Sequence, residues 1–381
     1  MPTGAPGPSF DRVNTSSDRF EVVIAGAGVA ALETMMALRS LAGPRVAITL
    51  VAPEDEFVYR PLAVAAPFGL ESVPSYPLGR IAADFGATHL HDRLSWVGPG
   101  GQRVFLESGD ELGYDALVVA LGARAVPAWP FVPTFRGPLD VQMARGLVKQ
   151  VGDRELESIA FVVPSGITWA LPIYELALQL AATSQTPLDI ALYTPEMSPL
   201  AVFGEESSGE VAQLLEDAGI RLHARAVAEV TPDGEVIVGG EGRRFDRVVA
   251  LPRLEGPAPR GLPCDDDGFL PVDRFGMVHH VQHVYAAGDG TNYPIKQGGL
   301  ATQQADAVAE VVAKRAGARV DPRPVRPILR THLLANGASR YLRTDLHARD
   351  GGVSESSDAP LWWPDDKIAG TYLSPYLATV R

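Results

Sequence analysis

Residues 19–33 read RFEVVIAGAGVAALE. From Val22 to Ala25 the run is apolar without alternation, the pattern of a strand covered on both faces. It ends in Gly-x-Gly-x-x-Ala, with Gly26, Gly28 and Ala31, and a helical run follows. Each position has a physical reason. Gly26 permits a tight turn, Gly28 lets a pyrophosphate approach the backbone, and Ala31 lets the helix lie close to the strand. The helix start offers free amides and a positive dipole end to phosphate. The pattern is short, and its weight comes from its place between a strand and a helix. A second strand, VAITLVAPED, completes a βαβ unit. At its end stands Ala52, where an acid that binds ribose is usual, so Glu54 is the nearest substitute.

Working outward, the unit repeats. SIAFVV, PIYELALQLAA and LDIALYTPE form a second βαβ pattern from about residue 157. Aligned on the helix glutamates Glu33 and Glu175, both copies reach an acid 21 residues on, Glu54 and Glu196. On the strand side the second copy carries four extra residues. Counted from the strand, Pro164 replaces the first glycine and Gly166 survives. The third position is Trp169 from the strand side or Ile173 from the helix side. Proline has no amide for a phosphate. Pro172 suits the first turn of a helix that starts late, which leaves a loop of about eight residues. Two readings stand: a loop that packs Trp169, and a turn remodelled to close or reshape a nucleotide site. A repeat of dinucleotide-binding folds in one chain predicts a protein built for two nucleotides.

Composition sets the outer limits. With 381 residues the chain can bury two or three full cores, and 46% hydrophobic against 21% charged residues marks a globular protein. A net charge of -13 argues against a broad nucleic-acid footprint. The single cysteine, Cys264, excludes an intrachain disulfide framework and a redox dithiol. A reducing cytoplasm is the simplest compartment. No apolar run is long enough to span a bilayer and no apolar leader stands at the start, so no transmembrane segment is expected, while peripheral membrane contact stays open. Nothing in the sequence sets an oligomeric state.

The resulting division is a disordered tail over 1–18, a discontinuous nucleotide-binding domain over 19–130 and 256–320, a second, degenerate one over 131–255, and an Arg-rich, aromatic segment over 321–381. His279, His280 and His283 fall within five residues, but no Cys or carboxylate accompanies them, and no metal site is expected. Arg323, Arg326, Arg330, Arg340 and Arg343 suit either an anionic surface or pairing with acidic stretches such as GEESSGEVAQLLED. The aromatic end, LWWPDDKIAGTYLSPYLA, reads first as docking onto its own core, then as a substrate cover, then as a membrane contact.

Three motifs in order resemble the FAD-dependent pyridine nucleotide–disulfide oxidoreductase superfamily: VVIAGAGVAALE, YDALVVALGA over Tyr114–Ala123, and VYAAGD over Val284–Asp289 followed by KQGGLATQQAD. The similarity is greatest to the branch of type II NADH:quinone and sulfide:quinone oxidoreductases. It implies an α/β fold of two Rossmann-like, three-layer ββα dinucleotide-binding domains with a small C-terminal segment. It also implies noncovalent FAD held at Gly26, Gly28, Ala31, Glu54, Ala120, Gly122, Gly288 and Asp289. Arg60 in FVYRPL, Gln297 and Gly298 are placed beside the flavin, and Lys296 supplies electrostatics to its reduced form. Leu121 replaces the family's usual Thr. The branch's paired cysteines are missing, which argues against sulfide chemistry, and the second fingerprint of Pro164, Gly166, Trp169 and Glu196 departs from an NAD(P)H site. The expected function is hydride or electron transfer between a small-molecule donor and acceptor. NAD(P)H passing electrons to a quinone-like acceptor, a flavoenzyme with another donor, and a non-catalytic flavin-binding protein remain as alternatives.

Overall fold

The computed structural model describes residues 19–380, apart from 186, 336, 338 and 348–353. The expected 1–18 tail lies outside the described residues. The first parallel sheet orders its strands Val284–Ala286, Ala116–Val119, Phe20–Ala25, Val46–Val51 and Thr88–Leu90. The helices Val29–Ala42 and Gly298–Arg315 pack against each other on one face. A three-stranded antiparallel meander, Leu94–Gly98, Arg103–Leu106 and Glu111–Gly113, covers the other face. Residues 22–25 and Ala116–Val119 at the centre of the sheet are apolar because both faces are covered. The Val29–Ala42 helix likewise buries ten of its fourteen residues.

The second unit repeats this plan. Its parallel sheet runs Arg221–His223, Asp189–Tyr193, Ser158–Val162 and Arg247–Ala250. The Leu171–Thr183 helix packs on one face, and the meander Glu229–Val230, Glu235–Val238, Glu241–Arg244 on the other. The chain crosses between the units twice, and the crossings pair antiparallel as Arg124–Val126 with Arg253–Glu255. The fold is therefore α/β with two Rossmann-like ββα units and a small C-terminal segment.

That segment forms a three-stranded antiparallel sheet, Ile328–Leu333, Arg340–Asp345 and Ser354–Ser357, and the helix Leu373–Val380. Leu329, Leu333 and Leu342 enter the core of the second unit, while Leu373 and Leu377 enter that of the first. Four of the five arginines pair within the chain: Arg323 with Glu310, Arg326 with Asp345, Arg340 with Glu210 and Arg343 with Glu355. Glu210 belongs to the acidic stretch that the sequence offered as a partner. Among the described residues no helix is long and apolar enough to cross a membrane.

Candidate functional site

The strands Phe20–Ala25, Ala116–Val119 and Val284–Ala286 are neighbours and parallel, so the turns that follow them meet at one end of the sheet. Ligands bind at that end of an open α/β sheet. Gly26 has φ +113°, and a Cβ there would lie 2.2 Å from the Ala120 carbonyl oxygen. Its glycine is dictated by that crossing as well as by the turn. Gly28 is exposed, begins the Val29–Ala42 helix with no side chain capping it, and has open space where a Cβ would stand. The first amides of that helix are thus open to a phosphate. Ala31 is fully buried. Gly122 has φ +71°, and its carbonyl lies 3.0 Å from where a Cβ on Gly290 would be. Gly288, at φ +85°, comes within 3.0 Å of the Ala30 Cβ by the same construction. Glu54 is exposed just beyond the second strand. This cradle of amides, with room where side chains would intrude, fits a dinucleotide.

Beside it lies a cleft of about 530 Å³ between the two units. Arg60, Asp289, Lys296, Gln297 and Gly298 line it on the first unit's side. Burial pushes the Asp289 carboxyl up, against the opposing pull of Lys296 and Arg60. Lys296 is drawn down to about 8, by burial first, with Asp289 and Asp265 opposing. Its ammonium donates to the Thr291 carbonyl and sits 3.8 Å from the centre of the Phe269 ring. Gln297 caps the Gly298–Arg315 helix, accepting from Leu300 N at 2.9 Å and donating to the Arg330 carbonyl at 3.0 Å. Its side chain thereby fixes the helix start beside the cleft.

The second turn differs from the sequence alignment by one position. Gly26 N donates to the Val51 carbonyl, and Val163 N donates in the same way to Tyr193. Val51 and Tyr193 end equivalent strands, so Val163, not Pro164, occupies the first glycine's place, and the insertion is five residues instead of four. The sequence count slipped because strand ends are blurred where both flanks are apolar. Residues 163–170 form the eight-residue turn, against three residues, 26–28, in the first copy. Gly166 takes φ +84°. The Thr168 hydroxyl donates to the Pro294 carbonyl, which ties this turn to the first unit. Trp169 lies half-buried with its ring 6.1 Å from that of Phe203, and Ile173 is fully buried. Glu196 is occupied by its own unit: it accepts from the Tyr174 hydroxyl at 2.7 Å and the Thr194 hydroxyl at 2.9 Å. Burial pushes its carboxyl up while those two bonds pull it down.

Sequence reasoning used Glu175 only as an alignment anchor, and it did not single out Lys367. The two form a buried ion pair at 2.5 Å that lines the cleft and joins the C-terminal segment to the second unit. Glu175 also accepts from Leu334 N at 2.8 Å. Burial pushes Glu175 up and Lys367 down, and each opposes the other's shift. The available signal was a lone acid in a largely apolar helix, PIYELALQLAA. Ile368 follows in the cleft wall, with its Cδ1 3.0 Å from where a Cβ on Gly298 would be. The C-terminal segment therefore docks on the core, and in docking supplies part of the cleft. Cys264 is partly buried and unpaired in its turn. Among the described residues, no three His, Cys, Asp or Glu side chains are grouped to hold a metal.

Fold and cleft together define a flavin-type oxidoreductase built from two dinucleotide-binding units. The chain belongs to the pyridine nucleotide-disulphide oxidoreductase family, whose model matches residues 20–307. It is an FAD-dependent oxidoreductase, in a family whose cofactors are FAD and NAD(P)H. The ferredoxin reductase component of chlorobenzene dioxygenase from Cupriavidus sp. (strain PS12) is 28% identical over 328 residues, 78% of this chain and 75% of that protein. An NADH dehydrogenase-like protein from Mycobacterium tuberculosis is 27% identical over 231 residues, 56% of this chain and 57% of that one. Among solved structures, sulfide:quinone oxidoreductase from Aquifex aeolicus superposes with a TM-score of 0.80 at 19% identity, covering 89% of this chain and 87% of that one.

Proposed function

We propose that this FAD-dependent oxidoreductase takes electrons from a small-molecule donor bound in the cleft, and that the donor is not a nicotinamide dinucleotide held on the second turn. The observation that carries this reading is Glu196. The acid in the ribose position is already bonded to Tyr174 and Thr194, and the turn before it is an eight-residue loop fastened to Pro294. Both bonds go to Oε2 and fix the carboxylate within its own unit, which leaves Oε1 as the oxygen a ribose could reach. Gly26, Gly28 and Ala31 would hold the FAD pyrophosphate, Glu54 its ribose, and Ala120, Gly122, Gly288 and Asp289 the turns around it. The chemistry the flavin supplies when bound is hydride or electron transfer. Lys296, Arg60 and the start of the Gly298–Arg315 helix favour negative charge on that side of the cleft. Lys367, held by Glu175, is placed to orient a polar substrate and to hold a proton at its ammonium.

A second reading keeps NAD(P)H as donor and a quinone-like acceptor. It is favoured by the family match running through the second unit and by the NADH dehydrogenase-like relative. Cytoplasmic location with peripheral membrane contact is compatible with either. An equilibrium test separates the readings. NADH and NADPH, each raised to a large excess, are expected to leave the thermal midpoint of the FAD-loaded protein unchanged. A saturable rise, which linkage requires of any ligand bound to the folded state, would overturn the first reading.

A further inference from the structure

The C-terminal segment meets the rest of the molecule at two buried glutamates at equivalent places in the repeat. Glu175 takes Lys367, as above. Glu33, in the Val29–Ala42 helix, is fully buried and accepts the amides of Tyr372 at 2.8 Å and Leu373 at 2.7 Å. It thereby receives the open N-terminal amides of the Leu373–Val380 helix. The Gly298–Arg315 helix brings Asp306 to the same place, where Oδ2 accepts from the Thr371 hydroxyl at 2.7 Å. Gly370 runs so close that a Cβ there would lie 2.7 Å from Glu33 Oε2. The Thr302 hydroxyl adds a bond to the Ala369 carbonyl at 3.2 Å.

With two ionised carboxylates this arrangement is incomplete. Asp306 Oδ1 is buried and has no hydrogen-bond partner among the described residues, although Glu33 is its neighbour. Among the described residues neither acid forms an ion pair, and the nearby Arg323 is committed to Glu310 at 2.6 Å. Two neighbouring carboxylates largely removed from water raise one another's pKa, so that ionising both is disfavoured. One proton between them supplies the missing donor and removes the repulsion. The other groups around the pair are Glu310, which adds negative charge, Arg323, which offsets it, and Tyr372. Glu33 is pushed up to about 8, by burial and then by Asp306, and Asp306 to about 6, by burial first.

We propose that Glu33 and Asp306 share one proton and so latch the C-terminal segment, and with it Lys367 and Ile368, against the cleft. The sign follows from linkage. Both groups are raised above their free values, so the docked segment binds more protons than the released one. Docking is firmest at low pH and weakens as pH rises from about 5 through about 8. Above that range Lys367 and Ile368 are held less firmly, and the cleft wall loosens.

Hydrogen exchange on the FAD-loaded full chain tests this without reference to turnover. From about pH 6 to about pH 9, protection factors of the Tyr372 and Leu373 amides are expected to fall by about tenfold or more in the natural sequence. In Asp306→Asn the fall is expected to be clearly smaller, because the amide is a permanent donor to Glu33, still accepts from Thr371, and leaves only burial to raise Glu33. Level protection in the natural sequence, or the same fall in Asp306→Asn, overturns the latch. A second readout is the infrared band of a protonated carboxyl. It should titrate near pH 8 in the natural sequence and be lost in both Asp306→Asn and Glu33→Gln, and its persistence in both variants would also overturn the proposal.

Discussion

Gly26 shows how far one residue can be read before any coordinates exist. The sequence asks for glycine because the turn is tight, and the structure adds a second demand, the Ala120 carbonyl 2.2 Å from any Cβ. Gly26→Ala should therefore fail to load FAD or fail to accumulate folded, since the backbone conformation alone costs about 1–3 kcal/mol. Gly28→Ala should fold, because its site is open, and lose flavin affinity only where the pyrophosphate approaches. The flavin absorbance of the two purified proteins checks both, and a fully yellow Gly26→Ala would contradict the assignment. Gln297 was legible as a residue near the cleft but not as a helix cap, because a cap is defined by a neighbour's amide and not by spacing. Lys367 was not legible at all: its partner, Glu175, lies 192 positions away.

At the scale of elements, the repeat was visible in the spacing of its glutamates, and both prove to be buried anchors for the C-terminal segment. An acid in an apolar helix is costly unless bound, so the pattern held a signal of a partner, although the spacing alone used it only for alignment. The turn before Glu175 was read one position out, because apolar residues on both sides hide where a strand stops. The Lys367–Glu175 pair makes a prediction about how the segment is joined to the Leu171–Thr183 helix. Lys367→Met leaves a buried carboxylate without its counter-ion and should cost about 3–5 kcal/mol. In that variant Glu175 regains stability by taking up a proton. Its folded pKa then stands above its unfolded one, so the loss relative to the natural sequence should shrink as pH falls toward about 5. Denaturant titrations at two pH values measure this, and a loss independent of pH would show that Glu175 does not carry the cost. Glu175→Gln combined with Lys367→Met should restore part of the stability at neutral pH.

For the whole molecule, the fold followed from three motifs in order and one internal repeat, and its ββα layering is present in both units. What remained hidden was how the C-terminal segment closes the molecule. It buries Leu329 and Leu342 in one unit and Leu373 and Leu377 in the other, and it sets Lys367 and Ile368 in the cleft between them. Contacts that distant leave no periodicity in the sequence. The two units differ at this turn: the first has three residues before its helix, while the second has eight, tied to Pro294, and an acid bonded to Tyr174 and Thr194. The proposed donor chemistry depends on whether that second unit still delivers hydride from a nicotinamide. The most direct measurement is anaerobic mixing of the purified FAD-loaded protein with NADH or NADPH, following the flavin's long-wavelength absorbance. The prediction is a spectrum left oxidised by a large excess of either nucleotide and bleached by dithionite. Rapid, saturable bleaching by either nucleotide would contradict it.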